Sequence, residues 1–296
     1  MKPLLSYYGG KQRMAPNIIP LIPHHTVYVE PFAGGLAILF MKPTPIVTNT
    51  DNYREVVNDL DGRIINFYRV MQDKRKAVEL KRMIKYTLYS KAEHTKSNDL
   101  IKSGEGSDVL QAWALYVNLN CSFANVIGKG WGFSVLGRNS PETWKLKRSH
   151  LLNFGNRFEG VYIENSDAIE VIKRWDSPHT FFYCDPPYPE TNQGHYGGYT
   201  VEQFQKLVNA LEAAQGSFML SNYDQPSISI PEDWERHEFK ATMSASNHKD
   251  GIKNERTEVI WRRFNRVPVR DDIAKLYASG NYDCFKGSPS RQLTLF

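Results

Sequence analysis

Four consecutive residues, Asp185-Pro186-Pro187-Tyr188, carry the most readable chemistry in the chain. They follow the apolar run Phe181-Phe182-Tyr183-Cys184, which reads as a strand, so they stand at the mouth of a sheet. Two prolines fix φ and remove two N–H donors. What remains is a carboxylate, rigid carbonyls and an aromatic face. A purine exocyclic amine needs such partners, because its lone pair is delocalised into the ring and it is a poor nucleophile. The Asp185 side chain and the Pro186 carbonyl can accept its two hydrogens and favour the positive charge that develops on nitrogen in a transition state. Tyr188 can stack on a base that has left its helix. The competing reading is a proline-rich turn with an incidental acid, and the position at a strand end argues against it.

Other residues are chemically open in two ways. Glu30-Pro31-Phe32-Ala33-Gly34-Gly35 follows Val27-Tyr28-Val29, and its glycines allow a ligand close to the backbone at a strand-to-helix turn. Lys11 follows the run Tyr7-Tyr8-Gly9-Gly10 and can bind a carboxylate or phosphate, or simply belong to a surface loop. Asp59 ends the run Glu55-Val56-Val57-Asn58. It can accept from ribose hydroxyls, as acids do in dinucleotide folds. It can equally cap the next helix, a role for which Asp61 competes. Ser166-Asp167 ends the run Val161–Asn165 and is open to the same two readings.

These residues need elements that bring them to one edge. Apolar runs at 27–32, 55–59, 161–165, 180–184 and 217–222 read as strands, and the stretches between several of them have helical spacing. Alternating strand and helix implies a parallel sheet. Two late runs, 234–241 and 256–264, fit a closing antiparallel pair. From about Asp73 to Phe158 helical stretches dominate instead: 74–94, a polar link at 95–108, a helix at 109–123, and a Gly- and aromatic-rich loop at 124–144. The expected fold is α/β, a doubly wound and mostly parallel sheet interrupted by one mainly helical subdomain. Residues 1–73 and 159–265 form the sheet domain, 74–158 the insertion and 266–296 a tail. Ligands of such sheets bind beyond the carboxyl ends of the strands.

Charge is distributed unevenly. The net charge is +5, but residues 74–158 hold fifteen Lys/Arg against six Asp/Glu, and the remainder 22 against 26. The insertion therefore carries the positive field, as expected of a surface that meets phosphates or of an ordinary solvated basic face. Cys121, Cys184 and Cys284 are far apart and form no C-x-x-C pair, so neither a metal site nor a disulfide framework is expected. The chain shows no apolar run of membrane-spanning length and no leader-like N-terminus, so a soluble cytoplasmic protein is expected. A dinucleotide oxidoreductase would need a G-x-G-x-x-G turn, which Phe32–Ala37 does not supply. A silent binding module would have no need of the amine-accepting acid.

In this order, the motifs resemble those of the Dam-like, alpha-class DNA adenine-N6 methyltransferases. Y-Y-G-G-K, F-A-G-G, V-V-N-D-L-D-G and D-P-P-Y all have counterparts, over roughly residues 4–70 and 160–264. The resemblance implies a Rossmann-like methyltransferase fold, double-stranded DNA as substrate with the base flipped out, and S-adenosyl-L-methionine as methyl donor. It implies that Tyr7, Lys11, Phe32, Gly34, Asp59, Ser166, Asp167 and Asp185 line the cofactor site, and that Asp185, Pro186 and Tyr188 handle adenine. An RNA adenine or DNA cytosine-N4 methyltransferase is the alternative within the same chemistry. The recognition hairpin of relatives reading GATC has no match here. In the loop that stands in its place, Lys129, Trp131, Phe133 and Arg138 are candidates for DNA contact, with packing of Trp131 and Phe133 onto their own subdomain as the alternative. Gln292-Leu293-Thr294-Leu295-Phe296, after the linker-like Lys286–Arg291, resembles peptides that bind the bacterial sliding clamp; Gln292, Leu293, Leu295 and Phe296 would make that contact unless the tail docks on its own domain.

Overall fold

The computed structural model describes residues 1–6, 9–43, 53–135, 137, 139–189, 199–223, 226–242 and 255–264. Seven strands form one sheet: β1 (Val27–Glu30), β2 (Arg54–Asn58), β3 (Val161–Glu164), β4 (Thr180–Cys184), β5 (Ser217–Tyr223), β6 (Glu235–Thr242) and β7 (Glu255–Arg263). Their order is β3-β2-β1-β4-β5-β7-β6. The first five run parallel, and β7 lies antiparallel between β5 and β6. From β1 the chain steps outward to β2 and β3, then returns to place β4 on the other side of β1. The order thus reverses between β1 and β4, and that crevice is where open α/β sheets bind ligands.

β1, β2, β4 and β5 are buried almost without alternation because both faces of the sheet are covered there, whereas β3 is partly exposed and the antiparallel strands β6 and β7 carry charged residues. Val57, Phe181 and Met219 enter one apolar cluster, and their neighbours Val56, Phe182 and Phe218 enter the other. The helices are α1 (Ala15–Ile18), α2 (Ala37–Met41), α3 (Gly62–Gln72), α4 (Lys74–Tyr86), α5 (Lys91–Ser103), α6 (Asp108–Cys121), α7 (Ser140–Leu152), α8 (Ala168–Trp175) and α9 (Val201–Ala213). α9 opens with a capping box between Thr200 and Gln203.

The 74–158 segment is mainly helical as expected, but 74–94 is not one helix: α4 ends at Tyr86 and Ser90 caps a new one. The stretch read as a polar link is mostly the body of α5, which Ser90 caps through the Glu93 N–H and Gly104 closes at φ 69°. Its outward face is polar because it meets water, while His94 and Ser97 are buried. The end of the stretch read as a Gly- and aromatic-rich loop, 140–144, is the start of α7; Pro141 sits in its first turn, where the missing N–H costs nothing, behind the Asn139 cap. α6 packs against α3, α4, α5 and α7. Thr87 ties three of these elements together: its carbonyl accepts from Trp144 Nε1 at 3.0 Å, and its hydroxyl accepts from Trp113 Nε1 at 2.8 Å. One apolar cluster runs from Trp113, Tyr116 and Trp144 into Phe67, Tyr68 and Phe158. The insertion thereby shares its core with one face of the sheet.

Candidate active site

The carboxyl ends of β1, β2 and β3 are fastened by one side chain. Asn58 is fully buried; its Nδ2 donates to the Pro31 carbonyl at 2.9 Å and the Ser166 carbonyl at 3.0 Å, and its Oδ1 accepts from the Ser166 N–H at 2.8 Å. Next in the chain, Asp59 accepts from the Gly34 N–H through Oδ2 and from the Asp61 N–H through Oδ1, both at 2.9 Å. Asp59 therefore holds the glycine turn, and Asp61 rather than Asp59 caps α3. Burial pushes the Asp59 carboxyl up to about 6. Gly34 lies at φ 44°, a conformation that favours glycine, and its carbonyl accepts from the Tyr68 hydroxyl at 2.5 Å. Asp167 caps α8 through the N–H groups of Ile169 and Glu170, so its cap reading holds, while Ser166 is held through its backbone by Asn58. Phe32 is half-buried beside the glycine turn, edge-on to Tyr199 with centroids 6.3 Å apart.

Across the β1/β4 crevice lies a cluster of four polar groups. Lys11 Nζ contacts Asp185 Oδ1 at 2.7 Å and Glu258 Oε1 at 3.1 Å, and donates to the Gly9 carbonyl at 3.3 Å. An ammonium has three donors, and these partners use all three. The Tyr188 hydroxyl meets Asp185 Oδ1 at 3.2 Å and forms a shorter contact with Glu258 Oε1. Lys11 Nζ sits 4.9 Å from the Tyr188 ring centre, and Tyr223 packs edge-on against the same ring at 4.6 Å. Burial works against the Lys11 charge, but Asp185 and Glu258 outweigh it and hold the ammonium above its ordinary range. Burial pushes the Glu258 carboxyl upward, Lys11 opposing and Asp185 adding to the shift. Burial also raises the Tyr188 phenol, with both acids contributing. Pro186 is buried beside them.

The loop after α6 turns back as a short hairpin. The Phe123 N–H donates to the Gly130 carbonyl at 2.8 Å, and the Gly132 N–H to the Cys121 carbonyl at 2.7 Å. A Cβ on Gly132 would come within 3.2 Å of the Ser122 backbone, so a side chain there would push the close crossing apart by a few tenths of an ångström. Trp131 is half-buried, with its ring centre 5.7 Å from that of Tyr89 and stacked at 5.6 Å on Phe133. Trp131 thus braces the loop, whereas Phe133 is 67% exposed and Lys129 is also exposed. Phe123, 65% exposed at the start of the hairpin, was not singled out from sequence. Tyr7, Arg138 and the clamp-like Gln292, Leu293, Leu295 and Phe296 lie outside the described residues.

Asn58 and Glu258 were likewise missed. Glu258 had a visible signal, an acid directly before the apolar triplet Val259-Ile260-Trp261 of β7. Asn58 had none, since a polar residue ending a strand is unremarkable until its partners are known.

A mostly parallel, doubly wound sheet that reverses between β1 and β4, with acids gathered beyond its strand ends, defines a Rossmann-like protein of the methyltransferase kind. The model of the D12 class N6 adenine-specific DNA methyltransferases matches residues 7–265, and the chain belongs to that family. It is 25% identical over 287 residues to the Type II methyltransferase M1.LlaDCHI of Lactococcus lactis subsp. cremoris, covering 89% of this chain and 96% of that protein. It is 24% identical over 250 residues to the Type II methyltransferase M.MjaIII of Methanocaldococcus jannaschii, covering 75% of this chain and 84% of the relative. Among solved structures it is similar to an rRNA methyltransferase, aviRa from Streptomyces viridochromogenes, at a TM-score of 0.35 and 12% identity, over 85% of this chain and 84% of that one. The protein is thus an enzyme that transfers a methyl group to the N6 amino group of adenine in DNA.

Proposed function

We propose that the methyl donor is S-adenosyl-L-methionine, seated beyond the carboxyl ends of β1, β2 and β3, and that the target adenine is held by Asp185, Pro186 and Tyr188. The observation that carries this reading is the fastening of the Gly34 turn, Asp59 and Ser166 around Asn58, beside the crevice that exposes Asp185. The donor set suits a nucleoside. Each Asp59 oxygen accepts one backbone N–H and retains acceptor capacity for ribose hydroxyls. Phe32 offers an apolar face near the same turn. S-adenosyl-L-methionine supplies a methyl group activated on a sulfonium. Lys11 and Tyr7 complete the proposed cofactor contacts, Lys11 exchanging its longest hydrogen bond, that to Gly9, for the cofactor carboxylate. Asp59→Ala is expected to weaken cofactor binding by about 1–3 kcal/mol, the range for lost hydrogen bonds to a buried group, which is roughly five- to 150-fold in Kd. Calorimetry that finds unchanged affinity would reject the placement.

We further assign the 74–158 insertion to DNA. Its excess of positive charge supports this, as does the hairpin that presents Lys129 and Phe133 to solvent beside the braced Trp131; Arg138 is kept with them on its sequence position. Arg148 is spent internally, donating to the carbonyls of Lys85 and Thr87 at 3.1 and 3.0 Å. The residues to change are therefore Lys129 and Lys145, both exposed. Their joint replacement by alanine should flatten the fall of log affinity with log salt by about 0.9 per phosphate contact removed. An unchanged slope would move the phosphate surface elsewhere. That both relatives are Type II methyltransferases supports a type II restriction–modification setting. On its sequence alone, the C-terminal pentapeptide is kept as a sliding-clamp contact that deleting the last five residues would abolish.

A further inference from the structure

Methyl transfer to N6 leaves one proton too many. As the N–C bond forms and the S–C bond breaks, the sulfonium charge passes to the amine, and a neutral methylamino product requires N6 to release one hydrogen as a proton. On the reading above, Asp185 accepts that proton. Asp185 is poorly placed to keep it. Its Oδ1 already takes a hydrogen bond from Lys11 at 2.7 Å, and protonation there sets a neutral acid against a buried ammonium.

We propose that Glu258 on β7 is the onward acceptor of this proton, reached from Asp185 through the Tyr188 hydroxyl. The geometry supplies both links. Tyr188 lies against Asp185 Oδ1 at 3.2 Å and more closely against Glu258 Oε1. One hydroxyl hydrogen serves one acceptor at a time, and the shorter contact points it at Glu258, leaving the phenol oxygen to face Asp185. A proton on Asp185 can then pass to the phenol oxygen while the phenol hydrogen passes to Glu258. The tyrosine ends as it began, Asp185 is again a carboxylate, and no charge is created or lost within the cluster.

Lys11 makes the shift inexpensive. It touches Asp185 at 2.7 Å and Glu258 at 3.1 Å, so it keeps one ionised carboxylate before and after the proton moves. Burial, with Asp185 adding to it, raises the Glu258 carboxyl above an exposed glutamate and makes it a better proton acceptor. The groups facing Glu258 are Lys11 from the N-terminal segment, Asp185 and Tyr188 from the turn after β4, Tyr223 from β5 and Phe239 from β6. Glu258 acts through Tyr188 and is a positioning and relay residue for the reaction.

The inference rests on Asp185 as the amine's acceptor, so the test measures the two separately. Pre-steady-state methyl transfer is followed on saturating duplex DNA with S-adenosyl-L-methionine across pH. Glu258→Gln keeps the shape and an acceptor oxygen for Tyr188 but cannot take a proton. Its transfer rate is expected to fall about 10- to 100-fold, at or below the lower limit of the roughly 10²–10⁴-fold range for groups that exchange the proton with the substrate directly. Cofactor and DNA Kd should stay within about threefold, and the acid limb of the rate profile should flatten, because the buried carboxyl at position 258, held above its ordinary range, is no longer there to be protonated. Tyr188→Phe should give a similar loss, and the double variant no further loss, as for groups acting as one unit. A wild-type rate in Glu258→Gln, a loss confined to Kd, an unchanged acid limb or additive losses would each overturn the relay. If Glu258→Gln does not fold, Tyr188→Phe decides, since it removes only the hydroxyl. A wild-type rate in Asp185→Asn would overturn the underlying reading of Asp185, whereas an inactive Asp185→Asn beside a fully active Glu258→Gln would overturn the relay alone.

Discussion

Asp185→Ala should lower turnover by about 10²–10³-fold, the scale for removing one preorganised polar group from the point where charge develops. The argument is local. Asp185 is the carboxylate at the mouth of β4, aimed by two prolines and held by Lys11 at 2.7 Å. Its loss removes an acceptor whose interaction with the amine strengthens as nitrogen becomes positive, so the effect belongs in kcat. The variant leaves Lys11 paired with Glu258 at 3.1 Å, so the ammonium is not stranded in the protein, and folding should survive. DNA affinity should change little, because phosphate contacts dominate it. Incorporation of labelled methyl groups into duplex DNA, read as kcat and as DNA Kd on the same preparation, makes the comparison. Transfer at the wild-type rate would remove Asp185 from the chemistry.

The sequence was informative where one residue type alone could meet a local demand. Two prolines after an apolar strand announce a rigid turn, and glycines after another announce a close-packed one; both lie where the order of the sheet reverses. The doubly wound sheet was legible from nearly uninterrupted apolar runs, because strands buried on both faces need them, and the antiparallel pair at its edge from two further runs that mix charged with apolar residues. What stayed hidden depends on partners distant in the chain. Asn58 looks like any strand-end amide until Pro31 and Ser166 arrive on either side of it. Asp59 and Asp61 are equivalent acids in sequence, and only the Gly34 N–H separates their roles. Glu258 stands 73 residues from Asp185, in a strand whose register against Tyr223 brings it under Tyr188. α5 was obscured because a helix with one face in water can be polar along most of its length. The start of α7 was obscured because it follows directly on a Gly- and aromatic-rich stretch, with only the Asn139 cap to mark the change. The roles of Trp131 and Phe133 were joined in sequence and are divided by packing, one ring lying against Tyr89 and the other exposed.

Glu55→Ala should destabilise the protein by about 3–5 kcal/mol, the range for breaking a buried ion pair by deleting one partner. That is a large share of the about 5–15 kcal/mol by which folded domains are stable. Glu55 is the second residue of β2, at the end of the sheet away from the site. Its carboxylate accepts from Lys42 Nζ at 2.5 Å, from Arg157 Nη1 and Nη2 at 2.5 and 2.9 Å, and from the Tyr53 hydroxyl at 3.2 Å. The Lys42 side chain is 1% exposed and that of Arg157 12%, so alanine would leave two cations with little water to solvate them. Arg157 also donates to the Leu39 carbonyl at 3.1 Å, which joins the returning end of the insertion to α2 as well as to β2. Burial opposes ionisation of Glu55, but Lys42 and Arg157 outweigh it and hold the carboxyl down at about 2. An unfolded glutamate titrates near about 4.3. The contribution of Glu55 is therefore complete above that value and disappears as pH falls through about 2. The loss on Glu55→Ala should thus be full at pH 7 and should shrink in acid. Glu55→Gln should also destabilise, since its amide must turn a donor toward Lys42 or Arg157. Urea unfolding at constant m-value measures each variant. Replacing Lys42, Glu55 and Arg157 together by apolar residues of similar size should cost less than Glu55→Ala alone, because no uncompensated charge remains. A midpoint shift equivalent to under about 1 kcal/mol for Glu55→Ala, the scale of an exposed pair, would show that water reaches this cluster and that the sheet does not depend on it.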